Sequence, residues 1–244
     1  MVDRKAELRD KSIGRLLVKY SIPAIVGMVA NSLYNVVDTM FIGQGAGTKA
    51  LAALAVCFPI QIFTLAMGLF VGIGAASIVS RRLGAGDDET ANRAAGTALT
   101  TSVLLGLLLL AVAIIFMDPI LMLFGATEQI LPLGRDYLTW VMLGSPFFAF
   151  TVASNQLVRS EGNMRLSMFT MILGSVVNAG IDPILIFDWG AGLGLKGAAI
   201  STMIANITTC LFMLSYFLRG KSLLKIKPAY LMPDLSLYPE MFGI

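Results

Sequence analysis

The sequence predicts an all-α polytopic membrane protein, a bundle of six transmembrane helices. Composition is the first observation: 57% of the 244 residues are hydrophobic, 14% are charged and the mean hydropathy is +0.80, whereas soluble globular proteins carry roughly 25% charged residues. The second observation is a set of long stretches almost free of charge, each of which is long enough to cross a bilayer. Strand-like alternation is missing, and in hydrocarbon such segments must be helices that satisfy their own backbone hydrogen bonds.

Uncharged stretches locate the spans in order along the chain. Two of the six, the first and the fifth, carry one acid each, Asp38 and Asp182, and cover residues 20–48 and 166–187. The second, third, fourth and sixth spans contain no Asp, Glu, Lys or Arg and are predicted over residues 50–80, 94–117, 137–158 and 197–218. Short, turn-rich segments such as GQGAGTK and SEGNMR connect them, so no separate soluble domain fits between spans.

The positive charges predict the orientation of the chain. Of the 18 Lys and Arg residues, 15 fall in the N-terminal segment, the second and fourth loops and the tail. This asymmetry predicts a multi-pass protein of the cell membrane with both termini in the cytoplasm. We therefore expect a cytoplasmic N-terminal segment over 1–15, six transmembrane helices over 16–218 and a basic linker over 219–244. Prolines at 228, 233 and 239 oppose a continuous helix in that linker.

Several function classes are excluded by the residues that the chain lacks. It contains no histidine, which removes the commonest general base and metal ligand. Its two cysteines, Cys57 and Cys210, lie far apart in apolar runs and indicate neither a metal cluster nor a disulfide framework. No cofactor is therefore expected. The net charge of +3 is explained by membrane topology, so no nucleic-acid partner is expected either.

Two acids inside the hydrocarbon are the strongest functional signal. An ionisable group at membrane depth costs about 2.5 to 3.5 kcal/mol and usually has a role. Asp38 lies about five residues before the GQGAGTK loop, and Asp182 lies about five residues before the end of its span, so each is roughly 7 to 8 Å deep. They therefore lie at matching depths in the outer half of the membrane.

Other polar side chains gather at that depth. Asn178 precedes Asp182 by four residues and shares its helix face, and Asn31 and Asn35 form a supporting polar stripe with Asp38. Thr202 of the sixth span and Tyr137 of the fourth complete the set. Oxygen ligands from Asp38, Asn178, Asp182 and Thr202 are suited to Na⁺, and the carboxylates are equally suited to hold H⁺. Singly, Asn31, Asn35, Thr202 and Tyr137 also fit an ordinary role in helix packing or at the membrane interface.

An enzymatic alternative is a pair of intramembrane aspartates that acts as a protease dyad. Resemblance to such proteases would call for Tyr-Asp on one helix and Gly-x-Gly-Asp on another, whereas this chain has Val37-Asp38 and Ala179-Gly180-Ile181-Asp182. We therefore predict that the protein is not an enzyme.

Four segments carry a family resemblance over nearly the whole chain. SIPAIVGMVANSLYNVVDTMFIG, SRRLGAGDDETANRAAG, NAGIDPILIF and GLKGAAISTMIAN resemble the multidrug and toxic compound extrusion family, MATE. The chain looks like the N-terminal six-helix lobe of a transporter that has twelve helices in two similar lobes. A second six-helix lobe is therefore the expected partner, with the lipid bilayer around both.

The resemblance implies export of small organic, often cationic compounds by antiport with Na⁺ or H⁺. It assigns Asp38, Asn178, Asp182 and Thr202 to the cation site of the N-terminal lobe, with Tyr137 near it. Two other interpretations stay open: a flippase of lipid-linked or polysaccharide precursors from the same superfamily, and an inactive truncated half-transporter. A single lobe cannot enclose a cavity by rocking against a partner. A second lobe is therefore what distinguishes an active transporter from an inactive half.

Overall fold

The computed structural model describes residues 13–226 and 228–243, and this part of the chain contains helices and no β-strand. Most of the described residues are helical, which confirms the predicted all-α membrane fold. The expected cytoplasmic segment 1–15 lies almost wholly outside the described residues, as do Lys227 and Ile244.

Eight α-helices follow one another in the described chain. In order, α1 to α8 are Ile13–Ala85, Asp88–Ile115, Met117–Leu123, Leu131–Leu143, Ser145–Ser160, Met164–Ile186, Leu195–Leu218 and Tyr238–Phe242. Two 3₁₀ turns, Pro228–Leu231 and Leu235–Leu237, lie between α7 and α8. Asp87 caps the start of α2, where its Oδ1 accepts a hydrogen bond from the Thr90 backbone N–H at 3.1 Å. Hydrogen bonds from the Thr90 side chain and backbone lower the pKa of the Asp87 carboxyl.

The first helix is two membrane-crossing arms joined at one residue. Gly47 has φ 81° and ψ −177°, a conformation that favours glycine, and it separates an arm over 13–46, called α1a, from an arm over 48–85, called α1b. The segment GQGAGTK, predicted as a loop, is therefore helical except at Gly47. Glycine alone supplies the break, because the other residues of that segment keep helical geometry.

The membrane-crossing segments agree with the predicted six once this break is counted. Within the described residues four helices are long and apolar enough to cross, and the bent pair α4–α5 adds a fifth. The first of the four spans both arms of α1, and dividing it at Gly47 gives six. Large side chains such as Leu33, Leu108 and Val176 are half or more exposed on the outside of the bundle, which is the surface that lipid would cover.

The fourth span is bent, whereas the sequence predicted one continuous helix over 137–158. Helices α4 and α5 meet at an angle of 50°, with Pro146 in the first turn of α5. Proline lacks the N–H for a bond to the carbonyl four residues earlier, so the helix restarts there. Gly106 of α2 fits against this corner, and its carbonyl accepts a hydrogen bond from Ser145 Oγ at 3.0 Å.

Two apolar clusters hold the bundle together, one toward each end. One joins α1a, the start of α1b, α4 and α7 through residues such as Ile42, Leu138 and Ala198. The other joins α1b, α2, α5 and α7 with the tail, through residues such as Ile78 and Met213. We call the end that carries residues 80–93, 159–165 and 219–243 the basic end.

The tail after α7 folds onto the basic end. Met241 is 2% exposed within the second cluster, and Phe242 stacks on Phe70 with ring centroids 4.9 Å apart. The Glu240 carboxylate lies 3.2 Å from Arg81 and 3.4 Å from Arg82. The segment predicted as a linker is therefore attached along α1b and α2.

A buried carboxylate ties the fourth span to the tail at the same end. Glu161, just after α5, is 3% exposed. Its oxygens accept hydrogen bonds from the Tyr216 hydroxyl at 3.2 Å, from the Leu223 backbone N–H at 3.1 Å and from the Ser222 hydroxyl. A buried charge of this kind is tolerated because hydrogen-bond donors surround it.

Candidate functional site

A cleft of about 590 Å³, lined by apolar and polar side chains, runs between the helices. Both arms of α1 line it, together with α4, α5, α6 and α7. Asp38 lies toward the end opposite the basic end, and Arg159, one residue before the end of α5, lies at the basic end. The cleft places most of the sequence-predicted residues on one continuous surface.

Asp38 and Asp182 face each other across the contact between α1a and α6. Asp38 is 8% exposed and Asp182 is fully buried, and their carboxyl groups are within hydrogen-bonding reach of each other. Ionised carboxylates only accept hydrogen bonds, so this approach calls for a shared proton or a cation. Asp38 Oδ1 is buried and has no hydrogen-bond partner in the described structure.

The surroundings of Asp182 hold its carboxylate in place. The Ser201 hydroxyl of α7 donates a hydrogen bond to Asp182 Oδ1. Although Pro183 follows it, Asp182 lies inside α6, which continues to Ile186.

Asn178 connects Asp182 to two neighbouring helices. We assign its amide with the nitrogen toward Asp182, because the opposite orientation would turn the amide oxygen toward carboxylate oxygens. In this orientation the nitrogen lies 2.5 and 3.1 Å from the Asp182 oxygens. The amide oxygen accepts from the Thr202 backbone N–H at 3.1 Å and from the Tyr34 hydroxyl at 3.3 Å.

Asp38, Asn178, Asp182 and Thr202 are thus brought together as the sequence predicted, but Tyr137 is not in direct contact with them. Its ring is 2% exposed, and its hydroxyl accepts a hydrogen bond from Gln61 Nε2 at 3.4 Å. Tyr137 lines the same cleft on α4. It therefore belongs to the wall of the cleft near Asp38.

The predicted stripe of Asn31 and Asn35 also lines the cleft. Asn35 Nδ2 donates to the Asn31 backbone carbonyl at 2.8 Å and lies 3.2 Å from Asn31 Oδ1. These contacts stay within one helix, so the hydrogen-bonding groups of the two amides that they leave unused face the open cleft.

The residues that sequence reasoning missed include Tyr34, Gln61 and Arg159, which line the cleft, and Ser201, which contacts Asp182. Tyr34 lies one turn before Asp38, and this spacing could have indicated it. Ser201 adjoins Thr202 and carried no separate signal. Arg159 was counted only as a positive charge of a loop, because the sequence does not show that its side chain turns inward.

These features define a class: a helical lobe that crosses the membrane around a cleft with a buried acid pair beside it, as in solute transporters. The chain belongs to the MatE family, whose model matches residues 23–184.

Two relatives and a solved structure illustrate the similarity. The chain is 28% identical over 245 residues to the multidrug export protein MepA of Staphylococcus aureus (strain MRSA252), covering all of this chain and 54% of that protein. It is 35% identical over 205 residues to an FAD transporter of Shewanella oneidensis, covering 83% of this chain and 45% of that protein. A structure described as the outward-facing conformation of a multidrug resistance MATE family transporter of the MOP superfamily superposes with a TM-score of 0.91 at 27% identity, over 100% of this chain and 54% of that one.

The chain therefore spans about half the length of the relatives that it matches. These relatives are transporters and not enzymes, which sets aside the protease alternative.

Proposed function

We propose that this chain is the N-terminal lobe of a two-lobed exporter that drives small organic, often cationic compounds out of the cell in exchange for Na⁺ or H⁺. The second six-helix lobe would cover the open side of the cleft. The basic end would face the cytoplasm, with the lobe in the cell membrane and both of its termini inside, in keeping with the distribution of Lys and Arg.

The contact between Asp38 and Asp182 carries this proposal. A site that couples transport must bind its ion reversibly, and a buried carboxyl with an unpartnered oxygen beside a second carboxyl is suited to this. When the ion leaves, two ionised carboxylates repel each other in a medium of low dielectric constant. This repulsion would drive the conformational change that reopens the site.

Either ion suits this group of side chains. A proton can be shared between the Asp38 and Asp182 carboxyls without any further ligand, and Na⁺ can take its oxygen ligands from Asp38, Asn178, Asp182 and Thr202.

The test is flux in proteoliposomes that contain the two-lobed protein, with a fluorescent organic cation as substrate. An imposed pH gradient and an imposed Na⁺ gradient are applied separately. We expect Asp38→Asn to abolish uptake driven by either gradient. The matched control is Asp118→Asn, because Asp118 is ion-paired to Arg135 at 2.6 Å and lies outside the cleft.

Full gradient-driven flux in the Asp38→Asn variant would contradict the proposal. A lipid-linked precursor that moves without any cation flux would instead support the flippase alternative.

A second candidate substrate class is anionic. Arg159 lines the cleft, and a relative with 35% identity is named as an FAD transporter. A phosphate-bearing flavin nucleotide is therefore the second substrate to offer in the same assay, with the same variants.

A further inference from the structure

The cleft carries charges of opposite sign at its two ends. Asp38 and Arg159 are the charged side chains among the residues that line it. Arg159 contacts Met171 on α6, eleven residues before Asp182, which corresponds to about 16 Å along a helix axis. The acid pair and the arginine are therefore separate positions that one elongated molecule, or two small ones, would occupy.

Arg159 makes only neutral contacts in the described part of the chain. Its Nε donates to Ser167 Oγ at 2.9 Å, and its Nη2 lies 3.5 Å from the sulfur of Met171. A thioether is a weak acceptor, and a guanidinium has five N–H donors. The ion pairs of the described residues do not include Arg159, so its charge and several donors remain for a ligand.

An ordinary structural role does not account for this placement. An arginine in the last turn of a helix is favourable beside the helix dipole and normally extends to water, as the exposed Arg219 does after α7. Arg165, at the start of α6, is exposed at the same end. Arg159 instead turns toward α6 and into the cleft.

Asn155, one turn before Arg159 on α5, adds a second polar group at this end. Its Nδ2 donates to the Thr151 carbonyl at 3.0 Å, while its Oδ1 is buried and has no donor within the described structure. Buried acceptors are nearly always paired, so this oxygen suits an N–H or O–H of a molecule in the cleft.

We propose that Arg159 forms an anion subsite at the basic end of the cleft, which binds the carboxylate or phosphate of an organic substrate while Asn155 accepts a hydrogen bond from the same molecule. This inference rests on the proposed function, because it assigns part of the same cleft to substrate. Planar guanidinium groups bind carboxylate and phosphate through paired hydrogen bonds. The substrates favoured by this cleft would therefore carry both an anionic group and a cationic or apolar body.

A matched pair of dyes tests the subsite. Rhodamine 110 carries a free carboxylate, and rhodamine 123 is its methyl ester. Their binding to the purified two-lobed protein in a zwitterionic detergent is measured by fluorescence polarisation. We expect Arg159→Gln to weaken rhodamine 110 binding about tenfold or more and to leave rhodamine 123 binding unchanged. Arg165→Gln, which removes an exposed arginine at the same end, should alter neither.

A second variant covers the case in which Arg159→Gln does not fold. Arg159→Lys keeps the charge and loses the planar pair of donors, so we expect a several-fold loss for rhodamine 110 alone. Equal losses for both dyes, or unchanged binding of both, would overturn the subsite. If phosphatidylglycerol abolishes the difference between the dyes and inorganic phosphate does not, the anion is a lipid headgroup, and the assignment to an organic substrate is wrong.

The binding measurement needs no ion gradient. Discrimination between the dyes without cation-coupled flux would therefore contradict the proposed antiport and leave the subsite intact. Coupled flux without discrimination would contradict the subsite alone.

Discussion

The hydroxyl of Tyr34 lies 3.3 Å from the amide oxygen of Asn178, which joins the first membrane arm to the fifth span directly beside Asp182. Tyr34 thereby fixes the orientation of the amide, and the amide nitrogen in turn contacts both carboxylate oxygens of Asp182. A residue without charge is thus part of the site that the two acids form.

Tyr34→Phe should impair coupling without removing an acid. Loss of one hydrogen bond of about 0.5 to 1.5 kcal/mol corresponds to a two- to tenfold lower rate of gradient-driven flux in proteoliposomes. The matched control is Tyr238→Phe, which loses a hydroxyl contact to Thr101 at 2.8 Å outside the cleft. Equal flux in the two variants would exclude Tyr34 from the site.

Asp38 and Asp182 should behave as one unit in a double-mutant cycle. Because the two carboxyl groups share one bound ion in the proposed mechanism, either Asp→Asn change removes the whole site. We expect the flux of the double variant to equal that of the more impaired single variant. Independent, multiplying losses in the double variant would show two separate sites.

Gly106 and Gly180 should respond in opposite ways to the addition of a methyl group. A Cβ at Gly106 would lie 2.6 Å from the Cα of Pro146. Gly106→Ala therefore pushes α2 away from the bend of the fourth span and should lower the free energy of unfolding by about 1 to 3 kcal/mol. A Cβ at Gly180 meets no atom within 4 Å, so Gly180→Ala removes only the flexibility of glycine and should raise stability slightly. Thermal unfolding in detergent measures both, and a lower melting temperature for both variants would contradict the contrast.

Apolar packing, and not the ion pairs, should hold the tail to the lobe. Met241→Ala removes a buried side chain and should cost about 2 to 5 kcal/mol, whereas Glu240→Gln breaks exposed ion pairs worth about 0 to 1 kcal/mol. Limited trypsin digestion at the exposed Lys221 and Lys225 reports the release of the tail. We expect faster cleavage in Met241→Ala and no change in Glu240→Gln, and the reverse order would show that charge holds the tail.

The sequence predicted the spans and the acidic core of the site because charge inside hydrocarbon is costly and therefore visible. Asp38 and Asp182 were indicated by this cost, and Asn178 and Thr202 by their position at the same depth. Ser201 and Gln61 were not, since hydroxyl and amide side chains are common in membrane helices and their direction depends on packing. The bend at Pro146 was missed because an uncharged run says nothing about the angle of its axis.

The sequence placed Asp38 and Asp182 at the same depth but did not show that they face each other. That contact follows from the packing of α1a against α6, which sequence spacing within either helix cannot give. The inward turn of Arg159 has the same origin, because Ser167 and Met171 on the next helix determine it.

The hydrogen bonds around Glu161 also bear on how the lobe is made. Two of its partners, Ser222 and Leu223, lie 61 and 62 residues further along the chain, beyond the fifth and sixth spans. During synthesis the carboxylate leaves the ribosome well before these donors exist, so its burial is completed only after both later spans have been inserted. Closure of the basic end is therefore a late step of biogenesis, which is completed only after residue 223 has been synthesised.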